Sequence, residues 1–167
     1  FGENNVQEAV EKWTEIKKKN SHVRLHMIGK LQTNKVKFAV QIFDCIHSVD
    51  SIKLAKKIAD EQNKINKKIK IFLQVNIGDE NQKSGINKSD VNKLVSYCKE
   101  IDLDLIGLMC IPPANIDPEG YFEEMNKLNN TLEVSELSMA ISSDFLLAAK
   151  YLSTYVRVGS SIFGQRS

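Results

Sequence analysis

Residues 137–164, LSMAISSDFLLAAKYLSTYVRVGSSIFG, decide the fold. They contain two short apolar runs, residues 137–140 and 155–158, and each run leads directly into a turn of small and polar residues. Short apolar runs that are bounded by turn residues predict strands covered by protein on both faces. The fold then depends on what the two turns can bind and on whether the rest of the chain repeats this pattern.

Both turns are suited to hold an anion. Ser142 or Ser143 can cap a helix over residues 145–152, and the free amides of a helix's first turn attract phosphate. After the second run, Gly159 lets the backbone approach a ligand closely, and Ser160 adds a hydroxyl group. A (β/α)8 barrel uses two such loops to bind phosphate after its seventh and eighth strands.

The rest of the chain alternates between apolar strands and amphipathic helices. Strands are predicted to begin near residues 23, 43, 70 and 103, and Phe1 belongs to the end of a strand that leads into the first helix. Strict alternation with short connections predicts a parallel sheet, which is either a closed barrel or an open doubly wound sheet. The sequence lacks G-x-G-x-x-G and P-loop motifs after its strands, and the two terminal loops favour the barrel. We therefore predict an α/β protein with a (β/α)8 TIM barrel, in which residues 1–167 form one domain.

The count of predicted strands is seven, one fewer than the barrel needs. The chain begins at Phe1 instead of an initiator Met, and its 167 residues are short for a barrel that typically has about 250. We therefore expect the first barrel strand to lie upstream of Phe1. Without it, the two flanking strands would keep unpaired edges.

Composition excludes several classes of protein. The net charge is +2, so no overall field indicates nucleic acid or an anionic membrane as a partner, and no run of about 18 apolar residues predicts a membrane span. Cys45, Cys98 and Cys110 are far apart and lack C-x-x-C spacing, so we expect neither disulfides nor zinc and place the protein in the cytoplasm. His26 and His47 are not spaced for a metal site either, and we expect core or rim histidines with satisfied hydrogen bonds.

Seven motifs in the same order resemble the YggS/PROSC family of pyridoxal-phosphate-binding proteins. The resemblance implies a (β/α)8 barrel similar to the N-terminal domain of alanine racemase, with pyridoxal 5'-phosphate (PLP) at the C-terminal mouth. It spans essentially the whole chain and implies a role in PLP homeostasis. The motifs are FGENNVQE at 1–8, HMIGKLQTNK at 26–35, IHSVDS at 46–51, QVNIGDENQKSG at 74–85, GLMCIPP at 107–113, LSMAISSDF at 137–145 and VRVGSSIFGQR at 156–166.

The resemblance also implies five cofactor-binding residues. Ser142, Gly159 and Ser160 match the family's phosphate-binding positions, in agreement with the two anion-binding turns. Arg157 matches the arginine that faces the pyridine nitrogen, and alternation along its strand independently directs this side chain into the barrel. Asn4 matches an asparagine beside the ring. From the residues alone, Arg157 could instead pair with a core carboxylate, and Asn4 could cap a helix.

The match at Arg157 has a chemical consequence. A permanently charged donor at the ring nitrogen keeps that nitrogen unprotonated and weakens the ring as an electron sink. We expect a monomeric, non-enzymatic PLP carrier or homeostasis protein with no catalytic residues. The alternative is a PLP-dependent racemase-type enzyme, which would need a second β-domain with an opposing base, and we do not expect such a domain after Ser167.

Two lysines of the family differ in whether this chain contains a matching residue. The family's Schiff-base lysine lies in the segment upstream of Phe1, so the resemblance gives it no counterpart in this chain. Lys83 matches a lysine of the family's K-S-G motif and either reaches the mouth or remains a solvated loop residue.

Overall fold

The computed structural model describes residues 1–80, 84–141 and 144–164, and its centre is one parallel sheet. Seven strands follow one another across the sheet in chain order, and every neighbouring pair is parallel. The predicted number and direction of strands are therefore confirmed. The strands are β1 (Gly2–Glu3), β2 (His26–Met27), β3 (Cys45–Val49), β4 (Lys70–Val75), β5 (Asp104–Cys110), β6 (Glu136–Ile141) and β7 (Tyr155–Arg157).

A helix follows each strand, as the alternation predicts. Single 3-10 turns at Thr33–Lys35 and Lys88–Asp90 precede the second and fourth helices. Within the described ranges, no helix is long and apolar enough to cross a membrane. The helices are α1 (Val6–Lys19), α2 (Val36–Ile42), α3 (Ile52–Lys64), α4 (Val91–Glu100), α5 (Glu119–Thr131), α6 (Phe145–Lys150) and α7 (Ser160–Phe163).

Capping side chains set the start of two long helices. The Asn5 side chain accepts a hydrogen bond from the backbone N–H of Gln7 at 2.9 Å, which satisfies one free amide of α1. Ser51 does the same for α3, where its hydroxyl accepts from the N–H of Leu54 at 3.3 Å. These polar residues therefore fix where the chain turns from strand to helix.

Helix α6 begins at Phe145, as predicted, but its capping residue and its C-terminal end differ from the prediction. Asp144 occupies the N-cap position, so the expectation of a cap at Ser142 or Ser143 is wrong. The helix ends at Lys150 instead of residue 152, because Leu152 adopts a left-handed backbone with φ of 63° that cannot continue it. Ser142 and Ser143 themselves lie outside the described residues.

Strand β2 is shorter than predicted. The apolar run suggested residues 23–28, whereas only His26 and Met27 pair as a strand. The reason is the partner, since β1 offers only Gly2 and Glu3 for pairing. A strand's length is set by its neighbour as well as by its own sequence.

The sheet has an outer face covered by helices and an inner face that encloses the barrel interior. Alternation along β4 shows this, because Ile71 and Leu73 join the large apolar cluster with the helices, whereas Phe72 joins a smaller cluster with Cys45 and Met109. All of these side chains are buried. Both faces are therefore covered, as the continuous apolar runs predict.

Ring contacts across the interior show that the sheet is curved into a nearly closed barrel. The Tyr155 ring on β7 lies 5.7 Å from the rings of His26 and His47 and 5.2 Å from the ring of Phe72, measured between centroids. Side chains from β2, β3 and β4 thus meet a side chain of β7. Among the described strands, β1 and β7 each have a single hydrogen-bonded neighbour.

Candidate functional site

The predicted site residues follow the C-terminal ends of β1, β6 and β7, at the mouth where barrel sites are built. Asn4 follows β1, Arg157 ends β7, and Gly159 and Ser160 follow it. Ser142, after β6, and Lys83 lie outside the described residues, so their roles stay predictions. β1 and β7 are the two edges of the sheet, and they place Asn4 and Arg157 at opposite edges.

The Arg157 side chain points into the barrel, as strand alternation predicts. Its guanidinium donates to the Ser138 hydroxyl oxygen at 3.3 Å and to the Cys110 carbonyl oxygen at 2.8 Å. The neighbouring Val156 is 40% exposed on the other face of the strand. Two fixed acceptors on adjacent strands therefore hold the guanidinium plane inside the mouth.

Burial changes the electrostatics of this guanidinium. Desolvation lowers the pKa of Arg157, while the Asp144 carboxylate, and Cys110 only if its thiol were ionised, would act in the opposite direction. Arginine begins from so high a pKa that it still remains a cation at physiological pH. The mouth thus contains a permanent positive charge with a planar set of donors.

Gly159 leaves open space beside the β7 loop. A Cβ built on this residue would meet no heavy atom within 4 Å, and the next residue, Ser160, begins α7. The backbone is not strained there, because φ is −117°. A ligand can therefore approach the chain at Gly159, with the Ser160 hydroxyl next to it in sequence.

Asn4 is not the helix cap that the sequence left open for it. Asn5 is the N-cap of α1, and Asn4 is exposed at the end of β1. Gly29, after β2, packs against the Asn4 backbone, where a Cβ would overlap the Asn4 carbonyl oxygen. The close approach that only glycine permits therefore fixes the position of Asn4 at the mouth.

A hydrogen-bonded chain of polar side chains extends from Arg157 into the barrel, and sequence reasoning did not assemble it. Ser138 Oγ lies 2.9 Å from His47 Nδ1, and His47 Nε2 lies 2.9 Å from His26 Nδ1. We call His26, His47, Ser138 and Arg157 the polar chain. The sequence did contain one signal, since Ser138 is a polar residue between Leu137 and Met139 in an apolar strand.

Both histidines are held neutral by their surroundings. Burial lowers the pKa of His47 to about 3, and repulsion from His26 in its protonated form and from the Arg157 cation acts in the same direction. Burial also lowers the pKa of the half-buried His26. The prediction of core or rim histidines with satisfied hydrogen bonds is confirmed, because both rings take part in the polar chain.

Cys45 lies close to both histidines, which the sequence argument about metal spacing overlooked. The Sγ atom and the ligating nitrogens of His26 and His47 lie within 4.8 Å of one another, because β2 pairs with β3. However, the two ring nitrogens that face each other share a hydrogen bond, and burial raises the pKa of the Cys45 thiol to about 12. The two histidines therefore use these ring nitrogens for a hydrogen bond with each other.

Comparison with known proteins gives consistent similarities. The sequence profile of the alanine racemase N-terminal domain family matches residues 1–167. A pyridoxal phosphate homeostasis protein of Aquifex aeolicus is 35% identical, over 99% of this chain and 76% of that protein.

Solved structures agree with the sequence relatives. PipY of Synechococcus elongatus PCC7942 without PLP is 33% identical and superposes with a TM-score of 0.93, over 98% of this chain and 81% of that chain. The same protein with PLP bound has a TM-score of 0.90 at 32% identity and the same coverage. The predicted barrel fold, of the alanine racemase N-terminal type, is confirmed.

Proposed function

Since the chain belongs to the alanine racemase N-terminal domain family and to its pyridoxal phosphate homeostasis proteins, we propose that it binds PLP at the barrel mouth. We propose further that it acts in intracellular PLP homeostasis or carriage without catalysis. The observation that carries the proposal is the guanidinium of Arg157, which Ser138 and Cys110 hold inside the mouth, beside the open space at Gly159.

The residues present fit the chemistry of this cofactor. PLP has a ring nitrogen that accepts hydrogen bonds and a phosphate group that requires donors and space. Arg157 is a fixed cationic donor for the ring nitrogen. The backbone at Gly159, where a Cβ would enter open space, and the Ser160 hydroxyl suit the phosphate, with Ser142 as a predicted further partner.

Each of these residues contributes to binding. When bound, PLP supplies an aldehyde and an electron-withdrawing ring. Arg157 orients the ring through its nitrogen and, as a permanent donor, keeps that nitrogen unprotonated. Asn4, fixed by the contact of its backbone with Gly29, is proposed to lie beside the ring.

Two features support holding over catalysis. An unprotonated ring nitrogen is a weaker electron sink, which disfavours aminotransferase-type carbanion chemistry, although it leaves racemisation possible. The similar protein of Aquifex aeolicus is named a pyridoxal phosphate homeostasis protein. The competing candidate is racemisation of an amino acid, which the similarity to the alanine racemase domain favours.

We further propose a monomer in the cytoplasm. The three cysteines Cys45, Cys98 and Cys110 are free and buried. Burial raises the pKa of each thiol to about 12, so all three remain protonated. Unpaired thiols are usual in reducing compartments.

The direct test is titration of the purified chain with PLP, followed by absorbance and equilibrium dialysis. We expect saturable binding of one PLP per chain. The PLP-loaded chain is then incubated with L-alanine, and the formation of D-alanine is measured by chiral chromatography against free PLP. An absence of saturable binding would overturn the binding proposal, whereas racemisation faster than with free PLP would replace carriage by catalysis.

A further inference from the structure

The hydrogen-bond pattern of the polar chain has a direction. Arginine carries only donors, so the Ser138 oxygen must accept from Arg157, at 3.3 Å. The hydroxyl then has one proton to donate, and its other partner is His47 Nδ1 at 2.9 Å. If His47 donated from Nδ1 instead, the Ser138 oxygen would receive two donors, and its own proton would lack an acceptor in a fully buried site.

The direction continues to the second histidine. A neutral His47 that accepts at Nδ1 carries its proton on Nε2, and that N–H faces His26 Nδ1 at 2.9 Å. The low pKa of His47 agrees with a neutral ring. Each donor in this arrangement has an acceptor, from the guanidinium through the hydroxyl and His47 to His26.

Packing holds this arrangement in place. The His47 ring stacks on Phe72 with centroids 4.3 Å apart, and Tyr155 contacts both imidazole rings. His47 is 2% exposed and Ser138 is fully buried. Hydrogen bonds that are shielded from water are costly to break, so Ser138 remains an acceptor at a fixed point.

We propose that Ser138, His47 and His26 are positioning residues, which orient the Arg157 guanidinium toward the ring nitrogen of bound PLP. Ser138 fixes the orientation of the guanidinium by accepting its hydrogen bond. His47 accepts the hydroxyl proton of Ser138, so a lone pair of the hydroxyl oxygen faces Arg157. His26 Nδ1 accepts a hydrogen bond from the His47 Nε2–H and thereby fixes that tautomer. The role in cofactor recognition rests on the proposed function, whereas the direction of the hydrogen bonds does not.

The first experiment measures the direction without any cofactor. In the chain labelled with 15N-histidine, the ring nitrogen shifts of His47 should report a neutral imidazole protonated at Nε2. His22, an exposed histidine, is the internal control and should show rapidly exchanging tautomers. A His47 ring protonated at Nδ1 would overturn the proposal.

The second experiment measures the effect on the ring nitrogen. The affinities of PLP and of 1-deazapyridoxal 5'-phosphate, in which a C–H group replaces the ring nitrogen, are compared for each variant. His47→Phe keeps an aromatic ring on Phe72 but removes the acceptor, whereas His47→Asn restores an acceptor near the position of Nδ1. We expect His47→Phe to reduce the preference for PLP by about three- to tenfold, the range of one hydrogen bond. His47→Asn should retain most of the preference.

The outcomes separate positioning from packing. The opposite order, in which His47→Phe retains the preference and His47→Asn loses it, would overturn the proposal, because the ring would then act only through its shape. Ser138→Ala removes the same link with a smaller change in volume and should lower the preference equally, so an unchanged preference there would also overturn it. If the unaltered chain binds neither compound, the proposed function fails, and the shifts of His47 still decide the hydrogen-bond direction.

Discussion

The two faces of the sheet are both buried, but they differ in chemistry. The outer face presents aliphatic side chains such as Ile46, Ile71 and Leu108 to the helices, and these are fully buried. The inner face combines aromatic rings with His47 and Ser138, which are buried and hydrogen-bonded. Burial alone therefore does not separate stabilising from functional residues. Burial of a polar group is costly unless its hydrogen-bonding partners are also present. Buried polar side chains with complete hydrogen bonding therefore identify the inner face as the one that contains the site.

The largest effect on stability should come from the large apolar cluster between the outer face and the helices. Phe122 on α5 is fully buried in the large apolar cluster, and Phe122→Ala should lower the free energy of unfolding by roughly 3–5 kcal/mol. Urea unfolding measures this loss. Phe122→Leu is the control and should lose much less. The folded fraction of either variant should bind PLP with unchanged affinity, and a selective loss of affinity would break the division between the two faces.

The next effect concerns binding on the inner face. Arg157→Met should weaken PLP binding by about tenfold to a hundredfold, as expected when a charged hydrogen-bond donor is lost. Arg24→Met, at an exposed arginine far from Arg157 in the sequence, is the matched control and should bind PLP with unchanged affinity. Equilibrium dialysis measures both affinities. Equal affinities in folded proteins would exclude Arg157 from the site.

The third prediction uses pH to test the inner face. The pKa of His47 is about 3 in the folded chain, against an ordinary value of 6.5. Between these two values the unfolded chain binds more protons, so the contribution of His47 to stability falls as pH falls. The stability difference between the unaltered chain and His47→Phe should therefore shrink by roughly 1 kcal/mol per pH unit below about pH 6.5.

Urea unfolding at several pH values, from about pH 7 to pH 5, measures this slope. Carboxyl groups such as Glu61 are present in both proteins, so their contributions to the pH dependence cancel in the stability difference. A stability difference that is independent of pH would mean that His47 is not held neutral by burial. The inner face would then be less shielded from water than its packing indicates.

The smallest effect should occur at the edge of the site. Gly159→Ala adds a methyl group to open space, so its effect on stability should stay within about 0.5 kcal/mol. If the phosphate approaches this backbone, PLP affinity should fall a few-fold. Gly120→Ala is the control, since a Cβ there also meets no atom within 4 Å but lies on α5. Unchanged PLP affinity in Gly159→Ala would show that the phosphate does not bind at this loop.

Local sequence predicts the elements of this fold well, since each depends on residues close in the chain. The alternation of apolar runs and amphipathic segments predicts the order and direction of the strands, and the alternation around Arg157 directs its side chain inward. The cap of α6 at Asp144 was missed because several adjacent residues are chemically suitable caps. Capping propensities do not distinguish between adjacent residues whose side chains can all accept the same hydrogen bond.

The polar chain was harder to predict, because its members come from four strands. His26 and His47 each look like an isolated histidine in an apolar strand, and Ser138 looks like an ordinary small residue. Only strand order and curvature bring them together with Arg157. Sequence patterns indicate which face a residue occupies, but they do not measure distances across a barrel.

The order of the strands also has a consequence for folding kinetics. Each strand pairs with the next in the chain, so the sheet can grow by addition of one βα unit at a time, with short loops to close. The hydrogen bond between His47 and Ser138 instead joins residues 91 positions apart. It cannot form until β6 has reached the curved sheet that contains β3. Its formation is therefore a late event in folding, and the chain acquires the arrangement around Arg157 only when the barrel is nearly complete.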